Sequence, residues 1–310
     1  VDIKADRPLR AFLYMLLAQF SFSSNILLIR MSERGESQAS GQAFKLTPWE
    51  PMLLRSLALS LLCIALLRRY PARKLEPREN FWIWARGMAG VLSLTAYYYG
   101  VLHIPLGMAS LFSNSSPLYV TVLALLMGHE AVTRTRGIAL LVGFAGVALV
   151  GLGINIGASH NIDFHDVLIA MLSGPLSAAA YFSIRMLKNV RNEQIMLSLG
   201  LAGSILSIVM LLIFGSRFPQ TGIGWAWLIA SIFPAMAAQL FLTMAFRLAP
   251  ATQVAPLQYS APLFSGMLAY AFLQETIPPV SLFGMAIVII FGLALPYWEA
   301  KRLQRIPKPL

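Results

Sequence analysis

Ala109-Ser110-Leu111-Phe112-Ser113-Asn114-Ser115-Ser116-Pro117-Leu118-Tyr119 sets a polar cluster and a proline in the middle of a stretch otherwise apolar enough to cross a bilayer. The pattern returns as Ala255-Pro256-Leu257-Gln258-Tyr259-Ser260-Ala261-Pro262-Leu263-Phe264, 145 residues later. The offset holds along the segment: Pro105 falls on Pro250, Ser115 on Ser260, Pro117 on Pro262 and Glu130 on Glu275. Self-similarity at a fixed offset marks a repeat architecture. The chain reads as a duplicated membrane protein with a polar, proline-broken helix in each half.

Composition agrees. Hydrophobic residues are 57% of the chain and charged residues 12%, against roughly 25% charged in soluble domains. The single cysteine, Cys63, rules out an internal disulfide and a cysteine metal cluster. It lies in an apolar run and reads as inert packing. Lys4, Arg7 and Arg10 precede Ala11–Ile29 as in a signal peptide, but the run exceeds an h-region of roughly 7–15 residues and reads as a first spanning helix.

A spanning helix needs about 20 apolar residues. The pattern predicts ten, at 9–29, 48–67, 80–102, 105–128, 136–154, 165–185, 194–215, 224–246, 250–273 and 278–298. His103-Ile104 and Leu248-Ala249 are tight connections, each followed by a proline suited to a first helical position. Basic residues concentrate on one set of ends: Lys4, Arg7 and Arg10; Arg68, Arg69, Arg73, Lys74 and Arg78; Arg134 and Arg136; Arg185, Lys188 and Arg191; Arg247; and the C-terminal Lys301, Arg302, Arg305 and Lys308. The opposite ends hold Arg30, Arg34, Lys45 and Arg217. Basic loops face the cytoplasm, so both termini are expected inside, and 30–47 and 154–165 outside. The net charge of +11 is thereby topology rather than a nucleic-acid surface. Five spans per half invert the second repeat, an architecture of secondary transporters with a midplane site at the repeat interface. Ile29-Arg30-Met31 and Ile184-Arg185-Met186 extend the repeat with a shift of 155.

Arg86-Gly87 through Ala96-Tyr97-Tyr98-Tyr99, Leu106-Gly107-Met108-Ala109, Ser116-Pro117-Leu118 and Gly128-His129-Glu130 resemble an EamA domain. So do Ala245-Phe246-Arg247 through Ala261-Pro262-Leu263 and Gln274-Glu275-Thr276. EamA domains belong to the drug/metabolite transporter superfamily. The resemblance covers nearly the whole chain as two domains, 1–154 and 155–310. It implies an all-α integral membrane protein of ten transmembrane helices in two inverted five-helix repeats, mostly exporting small metabolites. His129 departs from the family, which usually has an apolar or small residue before the glutamate.

Polar stripes locate the candidate site. Ser110, Asn114, Pro117 and Thr121 recur at three and four along one helix face, as do Ser173, Ser177 and Tyr181 in the sixth span and Gln239 and Thr243 in the eighth. The fifth and tenth spans are almost devoid of polar residues and read as scaffold. Isolated serines serve equally as glue between helices. A buried amide left unsatisfied in lipid costs several kcal/mol, so Asn114 and Gln258 are expected to hydrogen-bond a substrate, with Tyr259 and Tyr98 as walls. The expected contacts are Asn25, Tyr98, Ser110, Asn114, Tyr181, Gln239, Thr243, Gln258 and Tyr259, with Arg55 a further candidate that could instead snorkel beside Glu50. Arg86 reads as snorkelling toward the cytoplasmic headgroups, Tyr99 as an interfacial anchor, and Glu130 and Glu275 as charges favouring the helix that follows each.

No carboxylate lies in the central third of a span, which weakens a carboxylate proton relay. The cavity is expected to be polar and roughly neutral. The expected function is a secondary transporter exporting a small metabolite, an amino acid or a related zwitterionic or aromatic compound, across the inner membrane by alternating access. The alternative is a lipid or carrier-lipid flippase of the same superfamily. An intramembrane enzyme lacks a nucleophile–base pair or ligand set at depth. The partners are a small-molecule substrate and the bilayer, with no nucleic acid. No cofactor is expected, nor a metal at His160, Asp163, His165 and Asp166, where Asp163 can cap a helix.

Overall fold

The structure, a computed structural model, describes residues 8–70, 74–116, 163–187, 190–248, 255–275 and 282–287, with 118–119, 122, 142, 145–146, 149, 279–280 and 290. Every regular element among them is helical. In order these are α1 (Pro8–Ser40), α2 (Trp49–Arg69), α3 (Pro77–His103), α4 (Leu106–Asn114), α5 (Phe164–Met171), α6 (Ser173–Met186), α7 (Asn192–Phe214), α8 (Gly222–Leu248) and α9 (Ser260–Leu268). A 3-10 turn, Ala255–Tyr259, leads into α9, and a π turn, Ala269–Leu273, follows it. Five helical stretches are long and apolar enough to cross a membrane. This is an all-α, multi-span integral membrane protein. The fifth and tenth spans lie largely outside the described residues, and with them the scaffold expectation for those helices. Pro117, Thr121, Glu130, Pro250 and the loop holding His160 lie outside them too.

The helices are inside-out relative to a soluble bundle. On α7, Leu201, Ile205, Ile208, Leu212 and Ile213 are exposed, while Ser198, Gly200, Gly203, Ser204 and Ser207 are buried. Lipid is as apolar as leucine, so helices associate through small residues that let backbones approach. A Cβ on Gly200 would stand 2.5 Å from Ser60 Oγ and 3.1 Å from the Ser56 carbonyl of α2, and one on Gly87 would stand 2.9 Å from the Ser198 carbonyl. These glycines set the α2–α7 and α3–α7 spacings.

The packing follows the repeat. α1 packs along α8 and α3 along α6; α2 packs on α7, and α4 on α9. Repeat equivalence maps the first span onto the sixth and the third onto the eighth. The α1–α8 contact therefore maps onto α6–α3, while α2–α7 and α4–α9 map onto themselves. That is the pairing of a pseudo-two-fold relation between inverted halves. α3 and α8 match residue for residue, 27 residues each at an offset of 145. The break also repeats: α4 ends at Asn114, and the 3-10 turn ends at Tyr259, its equivalent.

Two sequence expectations change. α1 does not stop at residue 29 but runs to Ser40. Its charged extension is held by specific partners: Ser32 Oγ donates to the Gly224 carbonyl at 2.7 Å, and Glu36 accepts from the Gln220 and Thr221 amides at 3.0 Å. Hydropathy alone misses a helix whose polar end is satisfied by a neighbour. Pro105 sits one position before α4, as its N-cap. Glu275 reaches into the other half: its Oε2 accepts from Leu106 N at 3.1 Å, filling an orphan donor at the start of α4, and Oε1 lies 3.8 Å from Arg30. Asp163 accepts from His165 N at 3.0 Å and caps α5.

Candidate functional site

A cavity of about 80 Å³ lies where α1, α2, α3, α4, α6, α7, α8 and the 3-10 turn converge. By the same kind of measure one water needs about 10–15 Å³ and a cavity near 150 Å³ holds benzene. This conformation therefore has room for several waters or the head of a substrate, not a whole drug-sized one.

α1 contributes Gln19 and Phe22, α2 Arg55, and α3 Arg86, Ser93 and Tyr97. The last turn of α4 contributes Ser113 and Asn114. From the second half come Ser177 and Tyr181 on α6, Gln239 and Leu242 on α8, and Gln258 from the 3-10 turn. Three pairs of repeat-equivalent positions line it from both sides: Leu94 with Gln239, Tyr97 with Leu242, and Ser113 with Gln258. The cavity therefore straddles the pseudo-two-fold relation.

Two arginines dominate its chemistry. Arg55 is 6% exposed and does not reach for the headgroups. Its Nη1 donates to Tyr98 Oη at 3.2 Å, its Nη2 reaches Gln239 Oε1 at 3.5 Å, and its guanidinium lies over the Phe22 ring, 5.5 Å from the centroid. Glu50, its supposed companion, accepts instead from the Thr47 and Arg217 amides at 2.8 and 2.7 Å. Arg86 is 7% exposed and its Nε has no partner. It is buried and turns along α3 away from the N-terminal end of that helix, so the expectation of snorkelling there is corrected. Its guanidinium folds over Gly90, where a Cβ would overlap it. An arginine at bilayer depth costs about 2.5–3.5 kcal/mol even on the milder scale, more than helix glue returns. Among the described residues the lining contains no Asp or Glu. The cavity is cationic, not neutral as its amide and hydroxyl content suggested.

Of the residues singled out in sequence, Arg55, Asn114, Tyr181, Gln239 and Gln258 come together in this lining. Asn114 Nδ2 donates back to the Ser110 carbonyl at 2.8 Å, and Gln258, 3% exposed, has no hydrogen-bond partner among the described residues. Asn25, Tyr98, Ser110 and Tyr259 do not line the cavity. Asn25 Nδ2 donates to the Ser231 carbonyl of α8 at 2.8 Å and so ties the halves. Tyr98 stands behind Arg55 and orients it. Ser110 and Tyr259 are fully buried, the latter among apolar residues of α1, α3 and α4. The side chain of Thr243 lies outside the described residues. Tyr99 donates to Asp166 Oδ1 at 2.6 Å, which makes it a tie between α3 and α5.

Sequence reasoning passed over Gln19 and Ser93, and took Tyr97 only as one of several tyrosines able to stack on a substrate and Ser113 only as the repeat partner of Gln258. Gln19 and Phe22 are three apart on one face of α1, a signal available beforehand. Ser93 shares a 2.6 Å hydroxyl contact with Ser177 across the halves and donates to the Ser173 carbonyl at 2.8 Å, which no single-chain pattern reveals.

The EamA-like transporter family model matches residues 9–152 and 166–297. An uncharacterized transporter of Helicobacter pylori is 28% identical over 81% of this chain and 86% of its own length. The pseudopaline exporter CntI of Pseudomonas aeruginosa is 27% identical over 91% of this chain and 94% of its own. An S-adenosylmethionine uptake transporter of Rickettsia felis is 26% identical over 71% and 73%. A crystal structure superposes with a TM-score of 0.66 over 95% of this chain and 98% of that one at 18% identity, a likeness of fold.

Proposed function

The chain belongs to the EamA-like transporter family, and on that premise we propose that it is a secondary transporter exporting a small polar metabolite across the inner membrane by alternating access. The observation that carries the reading is the cavity shared between the repeats, lined by equivalent positions of both halves. Rocking one repeat against the other would expose such a site to each side in turn. Gln258 and Asn114 supply neutral hydrogen-bonding groups there, and Tyr97, Tyr181 and Phe22 supply its walls. The polar lining, with two buried guanidiniums, supports a water-soluble substrate over a lipid, which would call for an apolar lateral opening. An exporter and uptake transporters both stand among the relatives. We take export because the exporter aligns over 91% of the chain.

The termini are assigned to the cytoplasm. Arg68, Arg69, Lys74, Arg78 and Arg191 gather at one end of the bundle, which supports that orientation. A cysteine at the exposed Gln42 is expected to react with an impermeant reagent in intact cells; labelling only after lysis reverses the assignment. The function is tested by comparing metabolites inside and outside cells that overexpress or lack the protein, then moving the compound that changes into liposomes. Wild-type protein is expected to transport it. A rate equal to that of protein-free liposomes sinks the proposal.

A further inference from the structure

Resting on the reading of this cavity as a transport site, we infer that the substrate is a net-anionic organic acid whose carboxylate is held between Arg55 and Arg86. The two guanidiniums enter one cavity from two successive helices, α2 and α3. Arginine does not deprotonate in proteins, so this pair has no route to neutrality except an anion. The described residues of the lining supply none. The buried acids of the described residues are committed elsewhere: Glu36 to the Gln220 and Thr221 amides, Glu50 to the Thr47 and Arg217 amides, and Glu33 to Leu46 N at 2.9 Å. Arg55 meets only neutral oxygens and a ring, and Arg86 Nε meets nothing.

The neighbours favour an acid over a zwitterion, and the planar forks accommodate a carboxylate. A carboxylate offers two oxygens in one plane, which guanidinium forks match. An ammonium group would find no carboxylate among the described residues of the lining. The space suits the acid head alone, with the rest of the molecule admitted as the cavity opens.

The test uses the purified full-length protein and a small-molecule extract of the cells that express it, split by ion exchange into anionic, neutral and cationic fractions. A portion of the anionic fraction is methyl-esterified, which removes carboxylates and leaves phosphates charged. The anionic fraction is expected to raise the melting temperature and to be taken up by proteoliposomes, and esterification to abolish both effects. Arg55→Gln and Arg86→Gln, folded and melting near wild type without additive, are expected to raise the half-saturating concentration about 10- to 150-fold, the range of a lost charge-assisted hydrogen bond. Gly90→Ala, which keeps both charges and displaces Arg86, is expected to do so more weakly. Action by the neutral or cationic fraction, persistence after esterification, or unchanged saturation in both arginine variants overturns the inference while transport stands. Uptake from no fraction overturns the transport reading itself.

Discussion

The two halves share a fold and divide the site. Both cations, Arg55 and Arg86, come from the first half, while the second supplies the amides Gln239 and Gln258 and the hydroxyls of Ser177 and Tyr181. At the offset of 145, Arg86 falls on Ser231, whose carbonyl accepts from Asn25. By the same offset Arg55 falls on Gly200, which is pressed against Ser56 and Ser60. Where one half carries charge, the other closes a helix contact. Duplication thus preserved the pairing of helices, which depends on small residues at the crossings, and left the lining free to diverge, because a side chain facing a cavity has no packing partner to satisfy.

Breaking this division is predicted to have graded effects. The largest follow loss of a first-half cation: Arg86→Gln should lower transport efficiency for the identified substrate about 10- to 150-fold in proteoliposomes. An effect of Arg86→Gln no larger than that of Gln258→Leu would erase the distinction between the halves. In the second half, Gln258→Ala should weaken substrate binding about two- to tenfold, the range for a neutral hydrogen bond, and Asn114→Ala should match it from the first. Leucine at either position should do worse by filling the cavity.

Gly200→Leu sharpens the packing side of the comparison. It drives a side chain into the Ser56 backbone and Ser60, and is predicted to destabilise by about 1–3 kcal/mol, the usual penalty of overpacking. A lower melting temperature of the purified protein reports it; an unchanged one would show that α7 shifts away from α2 freely. Asn25→Ala removes a tie between the halves and should lower stability by about 1 kcal/mol while leaving the substrate saturation curve in place. The smallest effect is expected of Glu275→Gln. Arg30 and Glu275 are both partly exposed, such a pair contributes about 0–1 kcal/mol, and glutamine still offers an oxygen to Leu106 N.

Repetition made the fold legible. Ser113-Asn114 and Gln258-Tyr259 identified the break in each half, and the break is where the chain enters the cavity. The same pattern was silent about direction within the helix. Asn114 lines the cavity and its equivalent Tyr259 does not; Gln258 lines it beside Ser113, while Ser110 and Tyr98 turn away. A stripe at three and four names a face to within a residue or two, and one residue of rotation, about 100°, decides between cavity and packing.

What the sequence determined by itself is the all-helical membrane architecture and its duplication, because bilayer thickness and backbone satisfaction impose lengths and apolar runs that a single chain must display. Only the tertiary structure decided the charge of the site. Arg55 and Arg86 lie on different helices, 31 positions apart, and each alone is compatible with snorkelling. Their meeting in a cavity with no acid among its described residues depends on how α2 and α3 pack against α7. The length of α1 was decided there as well, since its polar end is helical only because Gly224, Gln220 and Thr221 stand beside it. Local physics writes the spans into the sequence, but the partners of a buried charge are chosen across the fold.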